Sequence, residues 1–159
     1  MDALLNLLEE NALASPETLA AQLNITPDEV RTRIAQLEKD RVILAYQAIV
    51  DDERAKRSHV KAVIEVRVTP EREGGFDRLA LRIAQYREVQ SCFLMSGGFD
   101  LLVFIEGKTL QDVAGFVSEK LSTLPGVLST ATHFNLKTYK IQGVLREATV
   151  YEERLKVSP

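Results

Sequence analysis

The sequence predicts an α+β fold in two parts: an N-terminal winged helix-turn-helix and a C-terminal ferredoxin-like βαββαβ domain on an antiparallel sheet. Three observations carry this. Two start signals, Ser15-Pro16 and Thr26-Pro27, open two short helices in close succession. A run rich in β-branched residues follows at 42–50. From Val60 onward, strand-like and helix-like periodicities alternate in the order β-α-β-β-α-β. The expected boundaries are 1–50 for the winged helix-turn-helix, 51–59 for a linker, 60–136 for the sheet domain and 137–159 for a C-terminal extension.

In the first part, Leu4, Leu5, Leu7 and Leu8 predict a covering helix. Ser15 is a favoured N-cap and Pro16 sits at N1, where no N–H is needed. Leu19, Ala20 and Leu23 then recur at helical spacing, and the chain breaks at Leu23-Asn24-Ile25. Thr26 with Glu29 spells a capping box. Val30, Ile34 and Leu37 form one apolar stripe, so Arg31, Arg33, Gln36 and Lys39 point outward. Basic and amide side chains on such a face suit phosphates and base edges, which makes Thr26, Arg31, Arg33, Gln36 and Lys39 candidates for DNA contact. Capped helix pairs also occur in bundles that never touch nucleic acid. The stretch 42–50 favours DNA: it is too short for a regular helix and reads as one or two short strands, the wing.

In the second part, residues 60–68 alternate as a strand that Pro70 and Gly74-Gly75 end. Phe76, Leu79, Ala80, Ile83 and Ala84 predict an amphipathic helix. Residues 89–95 and 100–105 are two strands of a hairpin turning at Ser96-Gly97-Gly98. Leu110, Val113, Ala114, Val117, Leu121 and Leu124 predict the next helix, closed by Pro125-Gly126, and residues 127–136 the last core strand. Beyond it, Ile141, Val144, Leu145, Val150 and Leu155 suggest a further strand and a terminal helix. In this topology two helices cover one sheet face and leave the other bare. Val63, Phe93, Leu102, Phe104 and Phe134 are candidates for one face or the other, and a bare apolar face predicts a homodimer.

Composition fits a globular chain: 159 residues, 45% hydrophobic and 27% charged. No apolar run approaches the ~20 residues that span a bilayer. Met1-Asp2-Ala3 lacks the basic start of a signal peptide, so a cytoplasmic location and no membrane partner are expected. The single cysteine, Cys92, lies in an apolar run and reads as a small core residue. Metal-ligand spacing and nucleophile-base pairing are both missing, so neither cofactor nor catalysis is expected. Residues 1–57 hold seven Lys or Arg against eleven Asp or Glu, a net of −4. Because counterion release dominates DNA affinity, one such module binds weakly. Arg54, Lys56 and Arg57 form a basic patch that reads equally as phosphate contacts or as a solvated linker. A homodimer meets the shortfall, since two recognition helices roughly 34–36 Å apart read two half-sites at once.

Four segments, LAAQLNITPDEVRTRIAQLEKDRVI at 19–43, AYQAIVD at 45–51, SGGFDLLVFIEG at 96–107 and LPGVLSTAT at 124–132, together resemble the Lrp/AsnC, or feast/famine, transcription regulators over nearly the whole chain. The resemblance implies a DNA-binding helix-turn-helix, a sensor domain for small amino-acid effectors, and dimers that assemble to octamers on double-stranded DNA. It matches Arg31 and Arg33 to the recognition helix, Gly97, Gly98, Phe99 and Asp100 to the effector loop, and Thr130 and Thr132 to the strand completing that pocket. An amino-acid ammonium would suit Asp100, and hydroxyl and backbone donors its carboxylate. This chain departs from many relatives in carrying Arg41 and Ala45 where they have glycine, and its first helix begins almost at Met1. Two other readings stay open. Siroheme decarboxylases resemble the same architecture and would need basic and histidine residues around a macrocycle, whereas His59 and His133 are the only histidines here. The acidic N-terminal part also fits a sensor module without DNA binding.

Overall fold

The computed structural model describes residues 2–69 and 75–146. The chain divides into two compact units, one ending at Ala48 and one beginning at Ile49.

The first unit contains α1 (Ala3–Glu10), α2 (Pro16–Leu23) and α3 (Pro27–Lys39). Each starts where a short polar side chain accepts an orphan backbone N–H. Asp2 takes that of Leu4 at 3.0 Å, Ser15 that of Thr18 at 3.1 Å and Thr26 that of Glu29 at 3.2 Å. Glu29 reaches back to the Thr26 N–H at 2.8 Å, completing the capping box. The turn between α2 and α3 pivots on Asn24, which takes the left-handed conformation (φ 54°) that asparagine tolerates. Leu4, Leu8, Leu19, Ala20 and Val30 are buried together, with Leu23, Ile25, Ile34, Leu37 and Ile43 packed around them.

Two findings follow the end of α3. Arg41 occupies the left-handed region (φ 58°), and the N–H groups of Val42 and Ile43 both donate to the Leu37 carbonyl, at 2.9 and 3.1 Å. Glycine takes this helix-ending conformation without the Cβ penalty. The strands expected at 42–50 are absent. A strand needs a neighbour for its N–H and C=O groups, and among the described residues none pairs with this stretch. Val42, Leu44, Tyr46, Ile49 and Val50 are exposed, although the Tyr46 hydroxyl donates to Glu38 at 3.0 Å. The expected wing is therefore a strand-like sequence without a partner strand among the described residues.

The second unit runs β1 (Val60–Val68), α4 (Asp77–Ala84), β2 (Val89–Leu94), β3 (Leu101–Gly107), α5 (Leu110–Gly115) continuing into a π-helical turn (Phe116–Leu121), and β4 (Val127–Phe134). The sheet order is β2-β3-β1-β4 with every pair antiparallel, as the ferredoxin-like reading requires. Ala62, Ile64, Val66 and Val68 of β1 and Leu101, Val103 and Ile105 of β3 are buried beneath Leu79 and Ile83 of α4 and Val113, Phe116 and Leu121. Cys92 packs at the margin of this core. The π turn explains a spacing that the regular helical reading did not anticipate. It brings Phe116 and Leu121 to the sheet together, because an i→i+5 turn returns to the same face after five residues. A short hairpin of β5 (Lys140–Ile141) and β6 (Val144–Leu145) follows, so the extra strand suggested by Ile141, Val144 and Leu145 is a strand pair. Pro70 and Gly74 of the first expected turn, and Val150 and Leu155 of the expected terminal helix, lie outside the described residues.

Truncating Ile64, fully buried at the centre of the sheet, should cost about 2–5 kcal/mol in Ile64→Ala, read by urea unfolding. Arg41→Gly should move the other way and stabilise the first unit by about 1 kcal/mol, because it removes the left-handed strain. An unchanged or lower melting temperature would contradict that account.

Candidate nucleic-acid interface and effector loop

On α3 the buried stripe of Val30, Ile34 and Leu37 orients everything else. At about 100° per residue, Thr32, Gln36 and Lys39 lie opposite it, and Arg31 and Arg33 flank that exposed face about 160° apart. The arginines are not electrostatically equivalent. Arg31 is held by Glu17 of α2 at 2.6 Å and by Asp28 at 2.8 Å, whereas among the described residues Arg33 has no carboxylate within ion-pair distance. The Glu17 carboxyl lies below the usual range, chiefly through its own backbone N–H at the start of α2, then through Ser15 and Arg31. Glu29 is lowered by the Thr26 N–H and hydroxyl.

Local hydrogen bonds engage other candidates. The Thr26 hydroxyl serves the capping box, and the Gln36 amide donates to Asp40 at 2.7 Å. Thr32, at the centre of the exposed face, donates to the Asp28 carbonyl at 2.8 Å. It was not singled out from the sequence, although its position opposite the apolar stripe was available there. Arg54, Lys56 and Arg57 belong to the second unit, in a turned segment where the Arg57 N–H donates to the Asp52 carbonyl at 2.8 Å. They do not share an element with the α3 residues.

The loop that the sequence singles out as a candidate for effector binding lies between β2 and β3. Gly97 adopts φ 134°, open to glycine and strained for other residues. Gly98 is exposed, and Phe99 and Asp100 are half-buried. Asp100 has a definite structural task. The β1–β4 register shifts between Arg67 and Val68, and the Val68 N–H donates to the Asp100 carboxylate at 2.8 Å. The Asp100 N–H in turn donates to the Val66 carbonyl at 3.0 Å. Val66 pairs with Leu101 on one side and Thr130 on the other, so the loop and Thr130 meet at one end of the sheet, two strand spacings apart. Thr132 lies opposite Ile64, one row further along, and by this register both threonines project toward the helix-covered face. The Thr130 hydroxyl is 3.4 Å from that of Ser122.

The opposite sheet face carries Val63, Glu65, Phe93, Leu102, Phe104 and His133 by register. Phe93 and Phe104 pack edge to face at 5.9 Å while remaining 51% and 37% exposed. Phe134 pairs with Ala62 and so belongs to the helix side. The histidines are engaged by carboxylates, His59 with Glu106 and His133 with Glu65 at 3.3 Å. Among the described residues, no group of three or more His, Cys, Asp or Glu could hold a metal ion, and no helix is long and apolar enough to cross a membrane.

Comparison with known proteins agrees with this geometry. A family model described as the Lrp/AsnC ligand binding domain matches residues 61–145, and one described as the AsnC-type helix-turn-helix domain matches residues 2–38. The chain is 47% identical over 157 residues to the uncharacterized HTH-type transcriptional regulator YugG of Bacillus subtilis, covering 98% of this chain and 95% of that protein. It is 26% identical over 137 residues to the leucine-responsive regulatory protein of Haemophilus influenzae, covering 86% and 82%. In structure it is similar to the transcriptional regulator NMB0573 of Neisseria meningitidis, solved as a complex with L-Met, with a TM-score of 0.67, 24% identity and coverage of 89% and 93%.

The double role of Asp100 generates a prediction. Asp100→Asn keeps an acceptor for the Val68 N–H and should leave stability nearly unchanged, whereas Asp100→Ala should cost about 1–3 kcal/mol by leaving that donor without its partner. Equilibrium unfolding with amide exchange at Val68 separates the two. Equal protection of Val68 in both variants would remove the structural role.

Proposed function

The chain belongs to the Lrp/AsnC family of transcription regulators, and from that membership we infer that it binds double-stranded DNA and changes its action in response to a small amino-acid effector. The observation that carries this reading is the succession, in one chain, of a matched helix-turn-helix and a matched ligand-binding domain, with 47% identity to a regulator over 157 residues. A regulator is favoured over an enzyme by the names of these relatives, and each histidine is paired with a carboxylate, His59 with Glu106 and His133 with Glu65. On this reading the protein acts in the cytoplasm, alongside the DNA it binds.

The finer reading is a homodimer formed across the open sheet face, on which two such dimeric units or more can assemble toward an octamer. Val63, Phe93, Leu102 and Phe104 supply apolar area, and Glu65 with His133 supplies polar groups for a self-complementary contact. Two copies of α3 then address successive half-sites and offset the weak binding of each acidic unit. On α3, Arg33 is the readier phosphate ligand, whereas Arg31 must exchange Glu17 and Asp28 for DNA. An amino acid held by the 97–100 loop and by Thr130 and Thr132 would act by favouring one assembly over another, since an effector shifts an equilibrium only through its differential affinity. The relative solved with L-Met and the relative named for leucine support an amino acid as the ligand class.

The test begins with selection of duplexes from a random-sequence pool by the intact protein, followed by titration with each of the twenty amino acids at fixed salt. Bound duplexes and an effector-dependent change in affinity are expected; recovery of no duplex at low salt would leave the sensor-only reading. Arg33→Ala should flatten the plot of log K against log[salt] by about one unit, the slope of one phosphate contact. Arg31→Ala should flatten it less. The reverse order would overturn the assignment of Arg33 as the readier phosphate ligand.

A further inference from the structure

Two departures from regular geometry border one groove, at the end of the β2–β3 pair away from the 97–100 loop. In β2 the register against β3 shifts between Val89 and Ser91, so Gln90 is the extra residue of a bulge. On the other side α5 passes into the π turn at Phe116–Leu121. The groove between them has a volume of about 690 Å³, on the scale of small-molecule sites, and it lies wholly within the second unit. Along its helix wall Gln111, Gly115 and Glu119 follow one another at four-residue spacing. Its strand wall carries Arg87, Gln90 and Lys108. The Glu106 N–H donates to the Glu88 carbonyl at 3.0 Å, so Arg87 and Lys108 leave the β2–β3 ladder at the same end.

Much of the charge around the groove is already committed. Lys120 pairs with Glu88 at 2.5 Å, His59 pairs with Glu106, and Asp112 accepts the Thr109 N–H at 2.8 Å in the cap of α5. The Glu88 carboxyl is held below its usual range, first by Lys120. Among the described residues, the side chains of Arg87, Lys108 and Glu119 form no ion pair or hydrogen bond, and neither do the amides of Gln90 and Gln111. Two cations and one anion therefore line one cavity without closing on each other. The glycines differ in what they do here. A Cβ on Gly107 would lie 3.1 Å from the Asp112 Cβ, so that glycine permits the close approach of β3 to α5. A Cβ on Gly115 would meet nothing within 4 Å. Glycine costs a helix stability, and no neighbour requires it at Gly115; what its missing side chain preserves is the groove.

We propose that this groove binds a small molecule carrying two acid groups and one ammonium, the charge pattern of an acidic amino acid: Arg87 and Lys108 take the carboxylates, Glu119 takes the ammonium, and Gln90 and Gln111 add hydrogen bonds. The uncommitted charges select this pattern. A ligand with one acid group leaves a cation unanswered, and a plain dianion leaves Glu119 facing like charge. The site is separate from the 97–100 loop, which lies at the other end of β3, roughly 20 Å away at the rise of an extended strand. It stands on the groove alone and holds whether or not the chain regulates transcription.

The test titrates L-glutamate into the full chain labelled with nitrogen-15 glycine and follows the amide shifts. Saturable movement of Gly107 and Gly115 is expected, while Gly97 and Gly98 report separately on the other end of the sheet. Arg87→Gln and Lys108→Gln should each weaken binding about tenfold, the worth of one charge-assisted hydrogen bond. Glutarate, which lacks the ammonium, should bind wild-type protein about tenfold more weakly than L-glutamate, and Glu119→Gln should abolish that preference. Gly115→Leu fills the groove and should abolish the Gly107 shift with the melting temperature unchanged or raised, because leucine suits a helix better than glycine. If that variant does not fold, the exposed substitutions at Arg87 and Lys108 carry the test. The proposal is overturned by the lack of any saturable shift at Gly107 and Gly115, by shifts confined to Gly97 and Gly98, by equal binding of glutarate and L-glutamate, or by binding retained in a folded Gly115→Leu.

Discussion

The one-sided burial of the sheet is the constraint on which the rest depends. Strict alternation along β1 sends Ala62, Ile64, Val66 and Val68 into the helix-covered core. The same alternation sends Val63, Glu65 and Arg67 the other way, and pairing carries it to Leu102, Phe104 and His133 on the neighbouring strands. The apolar residues of one face therefore cannot be buried by the two helices that bury the other. The open face, with its edge-to-face Phe93 and Phe104, is a consequence of topology and not an accident of composition. On the proposed reading, a second copy would cover it and supply the second recognition helix that an acidic unit needs.

The same register fixes what the effector loop can be. Asp100 ends the β2–β3 connection at the point where β1 shifts its register against β4, and its carboxylate satisfies the Val68 N–H there. If Asp100 also binds the effector, as proposed, its bond to the end of a core strand would link occupancy of the loop to the geometry of the sheet. On the proposed reading, that linkage is a short physical route from effector to dimer face, since β1 contributes to both.

Much of this was legible in the sequence because it rests on local rules. Ser15-Pro16 and Thr26-x-x-Glu29 specify caps through atoms three residues apart, and the structure forms both. Alternation in β1 and β3 specifies strands and faces. What was not legible depends on partners remote in sequence. The stretch 42–50 has strand composition, but composition does not provide a neighbouring strand. The π turn at Phe116–Leu121 depends on which side chains the sheet receives. The Arg31–Glu17 pair joins two helices through side chains 14 residues apart, and the Arg146–Asp51 fork spans 95 residues. No periodicity announces either contact. Asp100 was legible as a polar residue in a glycine-rich turn, whereas its bond to Val68 requires the bulge, which only tertiary pairing creates.

The acidity of the helix-turn-helix gains a purpose once these parts are combined. If each α3 bound DNA tightly by itself, the arrangement of two copies would add little, and an effector acting on that arrangement would have little to control. With carboxylates at Glu17 and Asp28 already occupying Arg31, monovalent affinity would be low on the proposed reading, and a larger share of the total would come from pairing two copies. On that reading affinity would depend steeply on how two copies are paired, and so on a ligand at the 97–100 loop that favours one assembly over another. Weak single contacts would thus make the pairing of two copies decisive, which is what an effector acting on assembly requires.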